Sequence, residues 1–160
     1  MDKIVKIPLT KGKFAIVDLQ DSTVISHYKW HFLKTGYAAT SVGGRKNKKM
    51  IYMHRLLMSV TDRHISVDHI NKDKLDNRRS NLRICTHRQN CSNSSKSKNR
   101  KTSIYKGVYF DKERQLWQAK IKVNYKNVYL GRFPIETQAA KAYNNAALKY
   151  FGIFASVNEL

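Results

Sequence analysis

Ten consecutive positions without an apolar side chain, Asn93 to Thr102, divide this chain into two segments that must each build a core of their own. A run of asparagine, serine, lysine and arginine buries too little surface to offset the entropy of ordering it, so 93–102 is expected to act as a basic linker. As a flexible coil, a run of that length averages roughly 16–19 Å end to end. Its cations also suit a phosphate backbone, and tether and contact both remain open. Within 160 residues, the flanking segments 1–92 and 103–160 lie near the lower size limit for a one-core domain. Each is therefore expected to be compact and assembled from short elements.

Apolar periodicity defines those elements. In 117–124, Trp117, Ala119, Ile121 and Val123 alternate with Gln118, Lys120, Lys122 and Asn124, the pattern of a half-buried strand with a cationic outer face. Flanking strands are predicted at 104–110 and 127–132. Beyond Pro134, residues 135–151 place Ala139, Ala142, Tyr143, Ala146 and Tyr150 at helical spacing, with Gly152 suited to the position after the last turn. The helix is expected on the apolar face of a three-stranded sheet, leaving a polar face that is either simply solvated or able to enter a major groove. Upstream, Lys11, Gly12 and Lys13 form a turn signal between apolar runs at 4–7 and 14–17, and Gly43 and Gly44 separate 37–40 from 50–53. That predicts a small antiparallel meander over 1–60. Tyr28, Trp30, Phe32 and Tyr37 read as core rather than as stacking platforms for bases, given the surface such rings bury. Cys85 and Cys91 lack C-x-x-C spacing and read as small buried hydrophobes.

The chemically pointed stretch closes the first segment. Val67, Asp68, His69, Ile70 and Asn71 open a polar loop that ends at Asn81, Leu82 and Arg83, with Gln89 and Asn90 following. The outline is strand, long loop, strand, helix. Thr86 is a suitable N-cap, and one or two helical turns over 87–92 would return Asn90 towards Asp68 and His69. Cleaving a phosphodiester needs a water made nucleophilic near neutral pH, and histidine, with an unperturbed pKa of about 6.5, suits that proton transfer. His69 is the candidate general base. Asp68 and Asn90 offer hard oxygen ligands to a divalent cation, which favours Mg²⁺, with Mn²⁺ as a substitute, over zinc. Asn81 is placed to hold the loop and orient the imidazole, and Arg78 and Arg83 to meet phosphates. His54, at the end of a predicted strand, is a supporting candidate. Each residue alone has a bland explanation as turn or surface; the ordered set is what singles them out.

The formal charge of +20 concentrates polyanions around the chain. Residues 93–160 hold 13 Lys or Arg against 4 acids, and 1–92 hold 18 against 7, so both segments are basic. Nucleic acid is the expected partner. Apolar runs such as 15–17 and 56–58 are too short to anchor in a bilayer, and no sustained apolar region follows Met1. The expectation is a cytoplasmic protein, with no membrane and no obligatory protein partner.

Taken together, His54-Arg55, Val67-Asp68-His69-Ile70-Asn71, Asp76-Asn77-Arg78, Asn81-Leu82-Arg83 and Gln89-Asn90 resemble the HNH endonucleases of the phage and intron homing type. The resemblance implies a ββα-metal nuclease module over 1–92, with its core motif at 54–92. It implies His69 as base, Asn81 as the middle Asn of the name, and Asp68 with Asn90 as metal ligands. Asn90 stands where the family's last His is usual, as in a known subgroup. A second likeness lies downstream: Tyr105-Lys106-Gly107-Val108, Trp117-Gln118-Ala119-Lys120-Ile121, Tyr129-Leu130-Gly131-Arg132-Phe133 and Ala139-Ala140-Lys141-Ala142-Tyr143-Asn144 resemble the AP2/ERF DNA-binding domain. By that resemblance Lys106, Tyr109, Lys120, Lys122 and Tyr129 lie where that family contacts double-stranded DNA. The whole chain is then expected to be α+β, a metal-dependent, site-specific DNA endonuclease that nicks one strand, encoded by a phage or intron of a bacterial host. A catalytically inactive, sequence-specific DNA-binding regulator is the alternative, and a structural nucleic-acid-binding protein ranks third. Neither of these needs Asp68, His69 and Asn90 together.

Overall fold

The computed structural model describes residues 3–94 and 102–160; most of the predicted linker, 95–101, lies outside the described residues. The chain separates into two compact units, Met1–Asn90 and Cys91–Leu160. Both mix helices with small antiparallel sheets.

In the first unit β1 (Ile4–Pro8) and β2 (Phe14–Asp18) pair antiparallel across a turn in which Lys11 and Gly12 both have positive φ. Helix α1 (Ser22–Ser26) follows. A second antiparallel sheet then takes the order β3 (His31–Phe32), β4 (Ala38–Val42), β5 (Lys49–Tyr52). The single meander expected over 1–60 is thus two sheets. Local side-chain bonds such as Ser22 Oγ to the Leu19 carbonyl, 2.6 Å, favour turn and helix over strand between them. His54 is also not at a strand end: it lies in α2 (Met53–Leu57), whose buried Met53 and Leu57 stand at helical i, i+4 spacing.

Strands β6 (Ile65–His69) and β7 (Leu82–Thr86) pair with Asp68 opposite Arg83 and His69 opposite Leu82, and lead into α3 (His87–Ser92). Gln89 donates its amide to Thr86 Oγ1 at 3.2 Å, while Gln89 Oε1 accepts the Thr86 amide at 2.9 Å. This reciprocal capping box starts α3 at the predicted place. Val17, Ile25, Trp30, Met53, Leu57, Val67 and Leu82 share one core, so the β6–β7 hairpin rests on the rest of the unit. Trp30 is core as expected, its indole donating to the Ile25 carbonyl. Cys85 is buried, but Cys91 is exposed on α3, against expectation, because this short helix buries none of its residues fully.

In the second unit β8 (Val108–Asp111), β9 (Leu116–Val123) and β10 (Lys126–Phe133) form a sheet in the order β10, β9, β8. Asn124 and Tyr125, both at positive φ, make the β9–β10 turn in the manner of a two-residue hairpin loop. Helix α4 (Glu136–Phe151) packs Ala139, Ala140, Tyr143 and Ala147 over Val108, Ala119 and Ile121. The first strand starts later than predicted, at Val108, because Gly107 takes φ +78° and breaks the extended run. Asn158 closes the unit: its side chain bonds both the amide and the carbonyl of Lys106, and its backbone bonds the Asn144 carboxamide. Among the described residues no helix is long and apolar enough to cross a membrane.

Candidate active site

The loop between β6 and β7 is polar but firmly held. In β2, Ile16 donates its amide to the Leu75 carbonyl at 2.8 Å, and its carbonyl accepts the Asn77 amide at 2.7 Å. Arg79 is fixed to Asp18 and Asp21. Within the loop, Asn81 Oδ1 accepts the Asn71 amide at 2.9 Å, and its Nδ2 donates to Asn71 Oδ1 and to the Asp76 carbonyl at 2.9 and 2.7 Å. The Asp76 carboxylate takes Asn71 Nδ2 and two N–H groups of Arg78. The Arg78 hydrogen bonds hold its pKa below the usual carboxylate range.

Those ties place Asn77, 1% exposed, against the imidazole: its Oδ1 lies 3.3 Å from His69 Nε2 while its Nδ2 donates to the Leu75 carbonyl at 3.1 Å. The Leu75 bond fixes which end of the carboxamide faces the ring, so Nε2 carries the proton and Nδ1 is the acceptor nitrogen. Asn81, expected to hold the loop and orient the imidazole, bonds the loop that presents Asn77. Burial lowers the pKa of His69, opposed by the Asn77 bond and the nearby carboxylates, Asp68 foremost. The ring is therefore neutral near pH 7.

Asp68 is buried beside it, and Arg83 Nε and Nη2 reach its Oδ2 at 2.8 and 2.6 Å. This is a cross-strand pair dictated by the β6–β7 register. Arg83 and Arg78, expected on phosphates, are thus each engaged by a carboxylate. Asn90 is half-buried on α3. Among the described residues no three His, Cys, Asp or Glu side chains group as a metal site. The carboxylate of Asp68 and the carboxamide of Asn90 are each hard oxygen donors, of the chemistry that suits a divalent cation.

Behind His69 stands an aromatic group that joins the supporting candidate His54 to Tyr37, expected only as core, and to Tyr52. The His54 ring centroid lies 5.1 Å from that of His69, and Tyr37 lies 5.0 Å from His54 and 6.0 Å from His69. Tyr52 flanks both Tyr37 and His54. The Lys74 ammonium sits 4.5 Å over the Tyr37 ring and donates to the Thr35 carbonyl. Burial and the charge of Asp68 raise the Tyr37 pKa. His54 Nδ1 is buried without a hydrogen-bond partner among the described residues. Burial, then the neighbouring His69, pushes the His54 pKa down to about 3.

A histidine that is neutral when folded but protonates in the unfolded chain destabilises the fold on acidification. Stability is whole above the unfolded pKa, about 6.5, and falls as pH drops towards the folded value, by up to about 1.4 kcal/mol per pH unit. His54→Phe, which also removes the orphaned nitrogen, is expected to flatten this slope between pH 6.5 and 5 to the share left by His69. Urea denaturation at several pH values measures it; an unchanged slope refutes the assignment.

In the second unit, register and burial put Tyr109, Gln118, Lys120, Lys122, Tyr129 and Arg132 on the sheet face opposite α4. The Arg132 guanidinium lies 5.5 Å from the Tyr129 ring. Lys106 departs from the set: its ammonium donates to the carbonyls of Ser92 and Ser94 at 2.9 and 2.6 Å.

Residues 62–91 match the family model of the HNH endonuclease. Over 150 residues the chain is 35% identical to an uncharacterized HNH endonuclease of Acanthamoeba polyphaga mimivirus, covering 94% of this chain and 77% of that one. A C-terminal segment is similar to AP2-like proteins of plants. An AP2-like ethylene-responsive transcription factor of Arabidopsis thaliana is 44% identical over 61 residues, 37% of this chain and 12% of its own length. An APETALA2-like protein of Oryza sativa is 40% identical over 58 residues, 36% of this chain and 13% of its own.

Proposed function

Because the chain belongs to the HNH endonuclease family, we propose that it is a metal-dependent DNA endonuclease of the homing type, with His69 as general base. The observation that carries this is the imidazole itself, neutral, tautomerically fixed by Asn77 and adjacent to Asp68 on one strand. Its Nδ1 takes the proton of a water as that water's oxygen bonds phosphorus and the P–O3′ bond breaks. Asp68 and Asn90 would hold Mg²⁺, or Mn²⁺ in its place, which supplies positive charge to the phosphate and the departing oxygen. Arg83 directs the Asp68 carboxylate through two hydrogen bonds to its Oδ2, and Asn81 maintains the loop from which Asn77 supports the base. Lys120, Lys122, Tyr109 and Tyr129 form a DNA-reading face in the AP2-like unit, with 93–102 as tether between a nuclease module of 1–92 and a reader of 103–160. One site in one chain nicks one strand per event.

Supercoiled DNA is the direct test. Mg²⁺ is expected to convert it to the nicked circle, and a chelator to abolish conversion while leaving binding in place. Failure to cut with Mg²⁺, Mn²⁺ or any other divalent ion removes the enzyme assignment, and concerted double-strand cutting as the first product removes the single-site nicking scheme.

A further inference from the structure

We propose that the β4–β5 hairpin is a cationic arm that grips duplex DNA beside the bond being cut, a proposal that rests on the nuclease function above. Its tip carries Arg45, Lys46, Lys48 and Lys49, all exposed, and no acidic residue occurs between Asp21 and Asp62. None of the four cations has an ion-pair partner among the described residues.

The tip is shaped rather than merely solvated. Gly43 takes φ +91°, and a Cβ there would stand 2.4 Å from the Asn47 carbonyl oxygen; the Asn47 amide donates to the Gly44 carbonyl at 3.0 Å. Only glycine permits this closure. The other end of the hairpin is anchored at the candidate site. Tyr37 immediately precedes β4 and Tyr52 ends β5, and both rings contact His54, which contacts His69. At about 3.3 Å per strand residue, Lys49 lies roughly 10 Å and the tip roughly 16 Å along the hairpin from Tyr52. With about 3.4 Å of helix axis per nucleotide of one strand, this corresponds to phosphates some three to five nucleotides from the cut. Four uncompensated cations on a hairpin of that reach suit the regularly charged backbone of a duplex, and they contact it without reading bases.

The test uses the full chain and a short generic duplex in chelator, with affinity measured by fluorescence anisotropy across salt concentrations. Each lost phosphate contact lowers the slope of log K against log salt by about 0.9. Arg45→Gln/Lys46→Gln/Lys48→Gln/Lys49→Gln is expected to lower it by about 3.6. Lys3→Gln/Lys6→Gln/Lys11→Gln/Lys13→Gln, the same charge removed elsewhere in the unit, is expected to lower it by less than one. Equal slopes for the two variants overturn the arm. Gly43→Ala keeps every charge but deforms the tip, and is expected to weaken binding at least threefold; unchanged affinity also counts against the proposal. On supercoiled DNA in Mg²⁺ the arm variant should raise KM and leave kcat unchanged, and a fall in kcat alone refutes a backbone grip. If the wild type nicks nothing, the nuclease assignment fails by itself, while the salt slopes still decide whether the arm holds DNA.

Discussion

His69→Ala is expected to bind duplex DNA as tightly as the wild type and to lose about 10²–10⁴-fold of the proposed nicking rate, the usual loss when a positioned acid–base group is removed. The expectation follows from where the ring's contacts lie. His69 is 5% exposed and its surroundings are Asn77, His54, Tyr37 and Asp68, so it contributes little area or charge to a bound duplex. Its acceptor nitrogen, by contrast, is the group that would take a proton. Single-turnover nicking in saturating protein separates the two properties, since K is read from anisotropy and the rate from conversion of the supercoiled form. A loss of affinity matching the loss of rate would mean that His69 holds substrate and does not move a proton. A rate within threefold of wild type would assign the chemistry to another residue.

The elements around His69 were legible in the sequence for physical reasons that also explain what was not. Alternation and turn residues mark β1, β2, β9 and α4 because each buries one face against a core, and burial leaves a periodic trace. Thr86 and Gln89 mark the start of α3 because capping uses a few residue types at fixed spacing. The two-sheet arrangement of the N-terminal part leaves no such trace, since a strand two residues long, β3, cannot display a period. Asp68, His69, Asn81 and Asn90 stand out by type and order, but the support of the imidazole does not. Asn77 looks like one more loop asparagine until the backbone bonds to Ile16, a strand distant in sequence, lift it against His69. Arg78 and Arg83 look like free cations because their carboxylate partners are set by loop geometry and strand register. Tyr37 and Tyr52 are correctly apolar in pattern; only the tertiary structure brings them to the histidines.

Gly107→Ala is expected to unfold the second unit at markedly lower denaturant, by roughly 2–5 kcal/mol. Alanine at φ +78° carries about 1–2 kcal/mol of left-handed strain, and the added methyl would lie 2.1 Å from Tyr143 Cδ2 and 2.7 Å from the Lys120 carbonyl oxygen. Overpacking of this kind typically costs about 1–3 kcal/mol more. Neither obstacle yields easily. Tyr143 is 3% exposed, with burial raising its pKa to about 12, and the Lys120 amide is bonded to the Gly107 carbonyl at 2.9 Å. Trp117, on β9, reports this unit's unfolding once Trp30 is replaced by Phe. A shift below about 1 kcal/mol would show that α4 can slide away from the sheet. Tyr143→Leu should recover part of the loss in the double variant but not the strain at positive φ, so the coupling energy separates the two causes. Because the proposed DNA-reading face is carried by β8, β9 and β10, Gly107→Ala should also depress affinity for DNA while leaving His69 in place, the inverse of the pattern expected for His69→Ala. If instead affinity survives with the second unit unfolded, the first unit and its cationic hairpin hold the duplex on their own, and the sheet face contributes only selection among sites.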